Sequence, residues 1–218
     1  MKTVLLTGFE PFAGAAVNPS WEAVRLLDGW RGDGFRVEVR LLSCVFGRAA
    51  AELLAVVDAL QPDVAIAVGL AGGRPEISIE RIAINVDDAR LADNAGQQPI
   101  DVPIAADGPA AYFTTLPIKA MVAAIRARGI KAGVSQTAGT FVCNHVFYAL
   151  MHRVCAPGYG KAVKAGFIHV PFLPAEAAAY AEPTPSMTLD EIVAGLRVAV
   201  EVALEVETDV AQTGGTTH

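Results

Sequence analysis

Short apolar runs without charge alternate along this chain with longer segments of helical periodicity, and this alternation constrains the fold more than any other feature. Residues 64–68 are apolar throughout and end at Gly69, which is typical of a strand buried on both faces of a parallel sheet. Residues 47–60 before them have amphipathic helical spacing and end before Pro62. Repetition of this pattern predicts one α/β domain with a mostly parallel sheet.

No internal repeat, low-complexity linker or break in composition divides the chain. We therefore expect a single domain over residues 1–209, followed by a disordered tail at 210–218. Hydrophobic residues make up 53% of the sequence, yet no apolar run is long enough to span a membrane. We attribute the excess of apolar residues to buried parallel strands and to subunit interfaces, and expect a homo-oligomer rather than a membrane protein.

Charge and cysteine usage exclude several classes of function. The net charge is −6 and no basic run is present, so we expect no nucleic-acid partner. Cys44, Cys143 and Cys155 have neither the even number of a disulfide framework nor the spacing of metal ligands, so we expect no metal site. The apolar part of the first eight residues is too short for a signal peptide, and a cytoplasmic location is expected.

Cys143 is the first candidate for chemistry, because it lies where an apolar, small-residue run changes into a helical pattern. Helical spacing after it is carried by Val146, Phe147, Leu150, Met151 and Val154. A cysteine in the first turn of a helix is close to unpaired N–H groups and to the positive end of the helix dipole, which favours a thiolate. The alternative is a buried cysteine that acts as a small hydrophobic residue.

A reactive thiol needs a base, and His169 is the best-placed histidine. His145 follows Cys143 by two residues, so on a helix it should project about 200° away from the thiol. His152 lies further along the same helix, and His218 is in the tail. His169 lies near the end of an apolar strand, where α/β sheets keep their sites, although a core histidine bonded to the backbone is an equally reasonable interpretation.

Glu80 is a charged residue inside a run of isoleucines at residues 77–84 that predicts a strand extending to residue 86. A carboxylate there is costly unless it is paired or hydrogen-bonded. One interpretation is a buried ion pair, with neighbouring Arg81 as a possible partner. The other is a carboxylate that orients a histidine, as in catalytic triads. Sequence reasoning leaves the two open.

Two loops bear on whether the chain could have another function. Residues 71–74, Ala-Gly-Gly-Arg, could form an anion-binding loop, which would fit a nucleoside phosphorylase-like enzyme. Residues 7–14 follow a strand but lack the glycine pattern of nucleotide-binding loops. A non-catalytic protein that binds a small ligand is a further alternative.

The segment formed by residues 87–115 is long, polar and rich in turns, which is typical of a functional loop or a lid.

Four blocks of sequence together resemble pyroglutamyl peptidase type I, the pyrrolidone-carboxylate peptidase family of cysteine peptidases. The blocks are TGFEPF at 7–12 with NPS at 18–20, ERIAIN at 80–85, FVCN at 141–144 with FY at 147–148, and FIHVP at 167–171. They occur in the order and spacing of the family, and the resemblance covers about residues 2–209. It implies a three-layer α/β/α sandwich around a mostly parallel, twisted mixed sheet.

The resemblance also implies the residues of the site. Glu80, Cys143 and His169 match the catalytic triad, and Arg90 matches a residue that assists the Cys143 amide in stabilising the oxyanion. The positions that match the lining of the pyrrolidone pocket are Phe9, Phe12, Phe141 and Val142. The implied substrates are peptides with an N-terminal pyroglutamate, hydrolysed without metal or cofactor by a cytosolic enzyme that often forms tetramers, with a dimer as the other expected state.

Three residues depart from the pattern of the family. Ala13 stands where the second residue of Phe-Gly-Gly is usual, Leu70 replaces a common glutamine, and Cys44 occupies the place of a small hydroxyl residue. Ala13 should alter the shape of its loop and Leu70 removes a polar group near the expected pocket, so we expect these departures to affect substrate affinity rather than the triad.

Overall fold

The protein, described over residues 1–214 by a computed structural model, contains nine strands and six α-helices in that part of the chain. The strands are β1 (Lys2–Phe9), β2 (Arg31–Gly32), β3 (Phe35–Leu42), β4 (Val64–Leu70), β5 (Ile77–Glu80), β6 (Ile82–Ile84), β7 (Ala111–Phe113), β8 (Ala132–Ser135) and β9 (Lys164–Val170). The helices are α1 (Pro19–Val24), α2 (Arg48–Leu60), α3 (Ile118–Ala127), α4 (Val142–Val154), α5 (Pro174–Ala177) and α6 (Leu189–Glu205).

Seven strands form the central sheet, in the order β2-β3-β1-β4-β9-β5-β8. Strands β3, β1, β4 and β9 are parallel, whereas β2 is antiparallel to β3, and the parallel pair β5–β8 is antiparallel to β9. Helices α1, α3 and α6 pack on one face, and α2 and α4 pack on the other. This confirms the predicted single α/β domain and its mostly parallel mixed sheet.

Alternation along the strands divides the core between the two faces. In β1, Val4 and Leu6 pack towards α1, α3 and α6, while Leu5 packs towards α2 and α4. In β9, Ile168 joins the first group and Phe167 the second. His169 is two residues beyond Phe167, so its side chain lies on the same face as α4.

The turn from β1 into α1 requires a glycine and a helix cap. A Cβ atom at Gly8 would lie 2.8 Å from the backbone N of Trp21, so only glycine permits this close approach. Asn18 caps α1 by accepting a hydrogen bond from the backbone N of Ser20 at 3.1 Å. The Ser20 hydroxyl in turn accepts from the backbone N of Phe9 at 3.0 Å, which fixes the end of β1.

The predicted continuous strand over residues 77–86 is wrong. The chain leaves the central sheet after Glu80, and β6 pairs with β7 in a separate two-stranded sheet. At the break, the backbone N of Arg81 donates to Ser135 O at 2.9 Å, while Arg81 O accepts from Thr114 N at 3.0 Å. Arg81 therefore bonds to both sheets, and Glu80 becomes the last residue of a central strand.

The segment between β6 and β7 contains no helix or further strand, and backbone-capping side chains hold it in place. The Asp93 carboxylate accepts hydrogen bonds from the backbone N of Ala95 and Gln97, both at 2.8 Å, and of Phe46 at 2.9 Å. These bonds attach the segment to the start of α2. Its proposed role as a lid stays a prediction.

The last described residue, Gly214, lies against β8. Gly214 approaches Val134, and its carbonyl accepts a hydrogen bond from the Arg81 guanidinium at 3.2 Å. Residues 215–218, which belong to the predicted tail, lie outside the described residues. No helix within residues 1–214 is long and apolar enough to cross a membrane.

Candidate active site

Cys143 is the second residue of α4, and small residues of β4 allow its thiol to approach the sheet. Ala65 and Ala67 belong to the core under α4, and Gly69 follows them on the same face. A Cβ atom at Gly69 would lie 2.9 Å from Cys143 Sγ, so any larger residue would displace the thiol. Gly69 is also the register partner of His169 in the neighbouring strand β9. The thiol therefore lies over the sheet next to His169.

His169 is bonded to Glu80, as one of the two sequence interpretations predicted. The distance from His169 Nδ1 to Glu80 Oε1 is 2.7 Å, and the two residues are 3% and 0% exposed. Because an ionised carboxylate only accepts hydrogen bonds, Nδ1 carries the proton and Nε2 is left as the basic nitrogen. The antiparallel pairing of β5 with β9 brings these residues together from positions far apart in the sequence.

Glu80 also forms an ion pair, but its partner is Arg74 rather than Arg81. Arg74 Nη1 donates to Glu80 Oε1 at 2.7 Å, and Nη2 donates to the carbonyl of Thr137 at 3.0 Å. Arg81 instead donates to Gln136 Oε1 at 2.9 Å. Sequence reasoning assigned Arg74 to an anion-binding loop and did not identify it as the partner of Glu80. Its guanidinium is committed to Glu80, which removes the cation that the phosphorylase-like alternative required.

Burial opposes ionisation of Glu80, but the groups around it outweigh burial and lower the pKa of the carboxyl. The hydrogen bond from His169 and, once the imidazole is protonated, its charge contribute most to this lowering, and the charge of Arg74 adds to it. Ser135 is the register partner of Glu80 on β8, and its hydroxyl donates to Thr137 O at 3.0 Å. Glu80 Oε2 is buried without a hydrogen-bond partner within residues 1–214.

The surroundings of Cys143 oppose the thiolate that its helix position favours. Burial raises the pKa of the Cys143 thiol, and the nearby Cys44 and Glu80 raise it further, while the charge of Arg74 lowers it. Desolvation of the anion thus outweighs the favourable end of the helix dipole. At neutral pH the resting site contains a neutral thiol, so attack requires that a base such as His169 removes the proton.

Two groups are candidates for stabilising an oxyanion. The backbone N–H of Cys143 lies in the first turn of α4, where N–H groups have no helical partner. Arg90 is exposed, and its side chain forms no hydrogen bond or ion pair within the described part of the chain. The backbone nearby is attached to the turn before α4, because Asp88 N donates to Thr140 O at 2.9 Å and the Thr140 hydroxyl donates to Asp88 O at 2.7 Å.

Aromatic rings form a cluster next to the thiol. The ring of Phe141 lies 5.0 Å from that of Phe12 and 5.2 Å from that of Phe46. Phe12 and Phe141 are half-buried, whereas Phe9 is 2% exposed and Val142 is 0% exposed, both in the core beneath. Phe46 was missed by sequence reasoning. The available signal was its position between a strand and the start of α2.

The two residues after Cys143 anchor the segment that carries Arg90. Asn144 Nδ2 donates to Ile84 O at 2.9 Å and to Val86 O at 3.1 Å. His145 does not face the thiol. Its Nδ1 bonds to Asp87 Oδ2 at 2.8 Å. Neither role was apparent from the sequence, because the partners come from the end of β6 and from the irregular segment that follows it.

The three departures from the family pattern lie near these residues. Burial, reinforced by Glu10 and Asp93, raises the pKa of Cys44 to about 12, so this thiol is neutral and packs as a hydrophobic residue. Leu70 ends β4 half-buried, one residue beyond Gly69. Ala13 has a φ of 53°, a left-handed conformation that favours glycine.

Comparison with known proteins places the chain in a family. The family model described as pyroglutamyl peptidase matches residues 2–206. The pyrrolidone-carboxylate peptidases of Chromobacterium violaceum and Cupriavidus pinatubonensis are 61% and 59% identical to the chain over 218 residues, which cover all of both proteins.

Solved structures agree. Pyroglutamyl peptidase I from Bacillus amyloliquefaciens superposes with a TM-score of 0.93 at 44% identity, covering 97% of this chain and 99% of the other. A mutant pyrrolidone carboxyl peptidase from Pyrococcus furiosus has a TM-score of 0.89 at 43% identity, covering 93% of this chain and 98% of the other. The chain therefore belongs to the pyroglutamyl peptidase family and is a cysteine-type hydrolase, which confirms the resemblance seen in the sequence.

Proposed function

We propose that this protein hydrolyses the bond after an N-terminal L-pyroglutamyl residue of peptides, through a Cys143–His169–Glu80 triad and an acyl-enzyme. The observation that carries the proposal is the 2.7 Å bond from His169 to a buried Glu80, with the Cys143 thiol against Gly69, the register partner of His169. This arrangement supplies a nucleophile, a base and a group that orients the base.

In the first half of the reaction, Cys143 Sγ attacks the carbonyl carbon of the pyroglutamyl–X bond while His169 Nε2 takes the thiol proton. Because the resting thiol is neutral, proton removal accompanies the attack. Glu80 stabilises the imidazolium that forms. His169 then gives the proton to the leaving amine, and a thioester joins the pyroglutamyl group to Cys143.

In the second half, His169 removes a proton from water, which attacks the thioester. The C–S bond breaks, pyroglutamate is released, and the proton on His169 returns to Cys143 Sγ. The backbone N–H of Cys143 and the side chain of Arg90 stabilise the oxyanion in both halves. Removing one such donor usually costs about 10²–10³-fold in rate. The attachment of residue 88 to Thr140 supports this role for Arg90, since it holds the Arg90 segment beside the turn that precedes Cys143.

We propose that the aromatic rings next to Cys143 bind the pyrrolidone ring. Phe12, Phe46 and Phe141 offer flat apolar surfaces, and Phe9 and Val142 support the slot from the core. The lactam is small and uncharged, so an apolar slot accepts it and disfavours a protonated free N-terminus, whose charge would lose its hydration.

The test is release of a chromophore from a pyroglutamyl amide by the purified protein and by Cys143→Ser. We expect turnover by the wild type and none by the variant. Cys155→Ala is the matched control, because Cys155 is an exposed free cysteine beyond the end of α4, and it should keep most of the activity, as should Cys44→Ala. Equal activity in the wild type and Cys143→Ser, or no wild-type activity at millimolar substrate, would contradict the proposal.

A cytoplasmic location and a homo-oligomer, either a tetramer or a dimer, complete the proposal. Three free cysteines within the described residues fit a reducing compartment. Exposed apolar side chains at Leu91, Ile100, Val102 and Phe113 are compatible with a subunit interface. Sedimentation velocity of the purified protein measures the oligomeric state directly, and a monomer across the micromolar range would contradict this part.

A further inference from the structure

Arg74 bonds to Glu80, although the roles of the three triad residues do not require an arginine at this position. Its guanidinium and the imidazole of His169 donate to the same oxygen, Oε1 of Glu80, each at 2.7 Å. The other carboxylate oxygen, Oε2, is buried and has no partner within residues 1–214. Two donors thus compete for one oxygen, although a free acceptor is available on the same carboxylate.

The guanidinium is fixed in place from two sides. Arg74 Nη2 donates to Thr137 O at 3.0 Å, and the same carbonyl accepts from the Ser135 hydroxyl at 3.0 Å. The Thr137 hydroxyl accepts from Gly139 N at 3.0 Å in the turn that leads to α4. Arg74 therefore links Glu80 to the segment that delivers Cys143, and it remains 31% exposed, so its own charge keeps contact with water.

The charges around the triad make Arg74 important before any proton moves. With a neutral His169 and a neutral Cys143 thiol, an ionised Glu80 would be a buried negative charge without compensation. A buried unpaired charge is strongly unfavourable. Arg74 supplies the compensating positive charge, so Glu80 can be ionised while His169 is still unprotonated and able to accept the thiol proton.

We propose that Arg74 is a positioning residue of the active site, which holds the Glu80 carboxylate through Oε1 and sets the pH range in which Cys143 and His169 react. This inference rests on the proposed roles of Cys143, His169 and Glu80. It adds a fourth residue, which contacts neither the nucleophile nor the base directly.

The direction of the effect follows from the groups that face the reacting atoms. Glu80 is faced by His169 from β9, by Arg74 from the loop before β5 and by Ser135 from β8. The side chains acting on the Cys143 thiol are Cys44 and Glu80, which raise its pKa, and Arg74, which lowers it together with the backbone N–H of Cys143. Removing a cation favours the protonated form of every neighbour. Both limbs of a bell-shaped pH profile should then move to higher pH, whichever group titrates first.

The experiment compares the pH dependence of kcat/KM for the wild type, Arg74→Gln and Arg74→Lys. We expect both limbs of Arg74→Gln to move up by about one pH unit, the low end of the range for a nearby charge because Arg74 is partly exposed. Arg74→Lys keeps the charge and loses the two-pronged geometry, so its limbs should stay in place while kcat falls. KM should change little, because Arg74 does not belong to the aromatic cluster.

Arg81→Gln is the matched control, since the neighbouring arginine bonds to Gln136 instead of Glu80 and should leave the profile unchanged. Arg74→Met provides a second neutral variant if Arg74→Gln does not fold. The proposal would be overturned if the pH profiles of the neutral variants had their limbs at the same pH as the wild type, or if Arg74→Lys showed the same shift as the neutral variants. A merely structural role would lower kcat without moving the limbs.

A second readout separates this proposal from the proposed function. The rate at which iodoacetamide alkylates Cys143, followed by peptide mass spectrometry as a function of pH, needs no substrate. We expect the half-maximal pH to be higher in the neutral Arg74 variants than in the wild type. If the wild type cleaves no pyroglutamyl amide but this shift occurs, the proposed function fails and the role of Arg74 stands. An unchanged alkylation profile overturns the role of Arg74 even if the wild type is active.

Discussion

Residues 1–214 contain two buried histidine–carboxylate pairs, and only one of them belongs to the proposed triad. His169 Nδ1 is 2.7 Å from Glu80, and His145 Nδ1 is 2.8 Å from Asp87. Both pairs leave one buried carboxylate oxygen, Glu80 Oε2 and Asp87 Oδ1, without a partner within residues 1–214. By distance and burial the two pairs are nearly alike.

The pairs differ at the second ring nitrogen. His145 Nε2 accepts a hydrogen bond from the backbone N of Gly47 at 3.1 Å, so its lone pair is already used. Within residues 1–214 no hydrogen bond to His169 Nε2 is present, and its strand neighbour Gly69 leaves space for the Cys143 thiol. A carboxylate fixes the tautomer of a histidine in either pair, but only a free Nε2 beside a nucleophile makes a general base.

We expect the largest effect from replacing the two histidines, because only the His169 variant should lose most of its activity. His169→Ala should lower kcat roughly 10²–10⁴-fold, because the proton acceptor is lost, whereas His145→Gln should lower it by less than about tenfold. Hydrolysis of a pyroglutamyl amide by folded protein measures both. Comparable losses in the two variants would show that the second nitrogen does not distinguish the pairs.

The next largest change in kcat is expected from isosteric variants of the two carboxylates. Glu80→Gln removes the charge that stabilises the imidazolium and should lower kcat about 10–10²-fold, equivalent to the roughly 1.5–3 kcal/mol of a hydrogen bond to a charged group. Asp87→Asn retains an oxygen that can accept from His145 Nδ1–H and should leave kcat close to the wild type. A large loss in Asp87→Asn alone would reverse the assignment of the two pairs.

The smallest effect is on stability. Asp87→Ala leaves the Nδ1–H of His145 buried without an acceptor and should reduce the free energy of unfolding by about 1–3 kcal/mol. Urea denaturation measures this value, and Asp88→Ala is the control, because Asp88 is exposed and contributes only backbone hydrogen bonds. If Asp87→Ala keeps the stability of the wild type, the His145 pair does not hold the segment in place.

Much of the fold could be predicted because local patterns agree with it. Helix α6 begins at Leu189 after the N-cap Thr188, which forms a capping box with Glu191, and β4 is the apolar run that the sequence indicated. The break after Glu80 could not be predicted, since the isoleucine pattern continues through residue 84 while the hydrogen bonds change to another sheet.

The site was accessible to sequence reasoning only in part. Motif resemblance selected Glu80, Cys143 and His169, but the partner of Glu80 depends on a loop six residues earlier that folds back over the strand. Alternation along a strand already argued against Arg81, because adjacent residues point to opposite faces. The raised pKa of Cys143 depends on burial by distant segments, which local sequence does not reveal.

The most direct test of the central claim is to identify which residue carries the acyl group during turnover. The wild-type protein is mixed with a pyroglutamyl amide, quenched in acid within the first turnover, and mapped by peptide mass spectrometry. We expect a pyroglutamyl thioester on Cys143 and none on Cys44 or Cys155. An acyl group on another residue, or turnover without an adduct under conditions that trap thioesters, would contradict it.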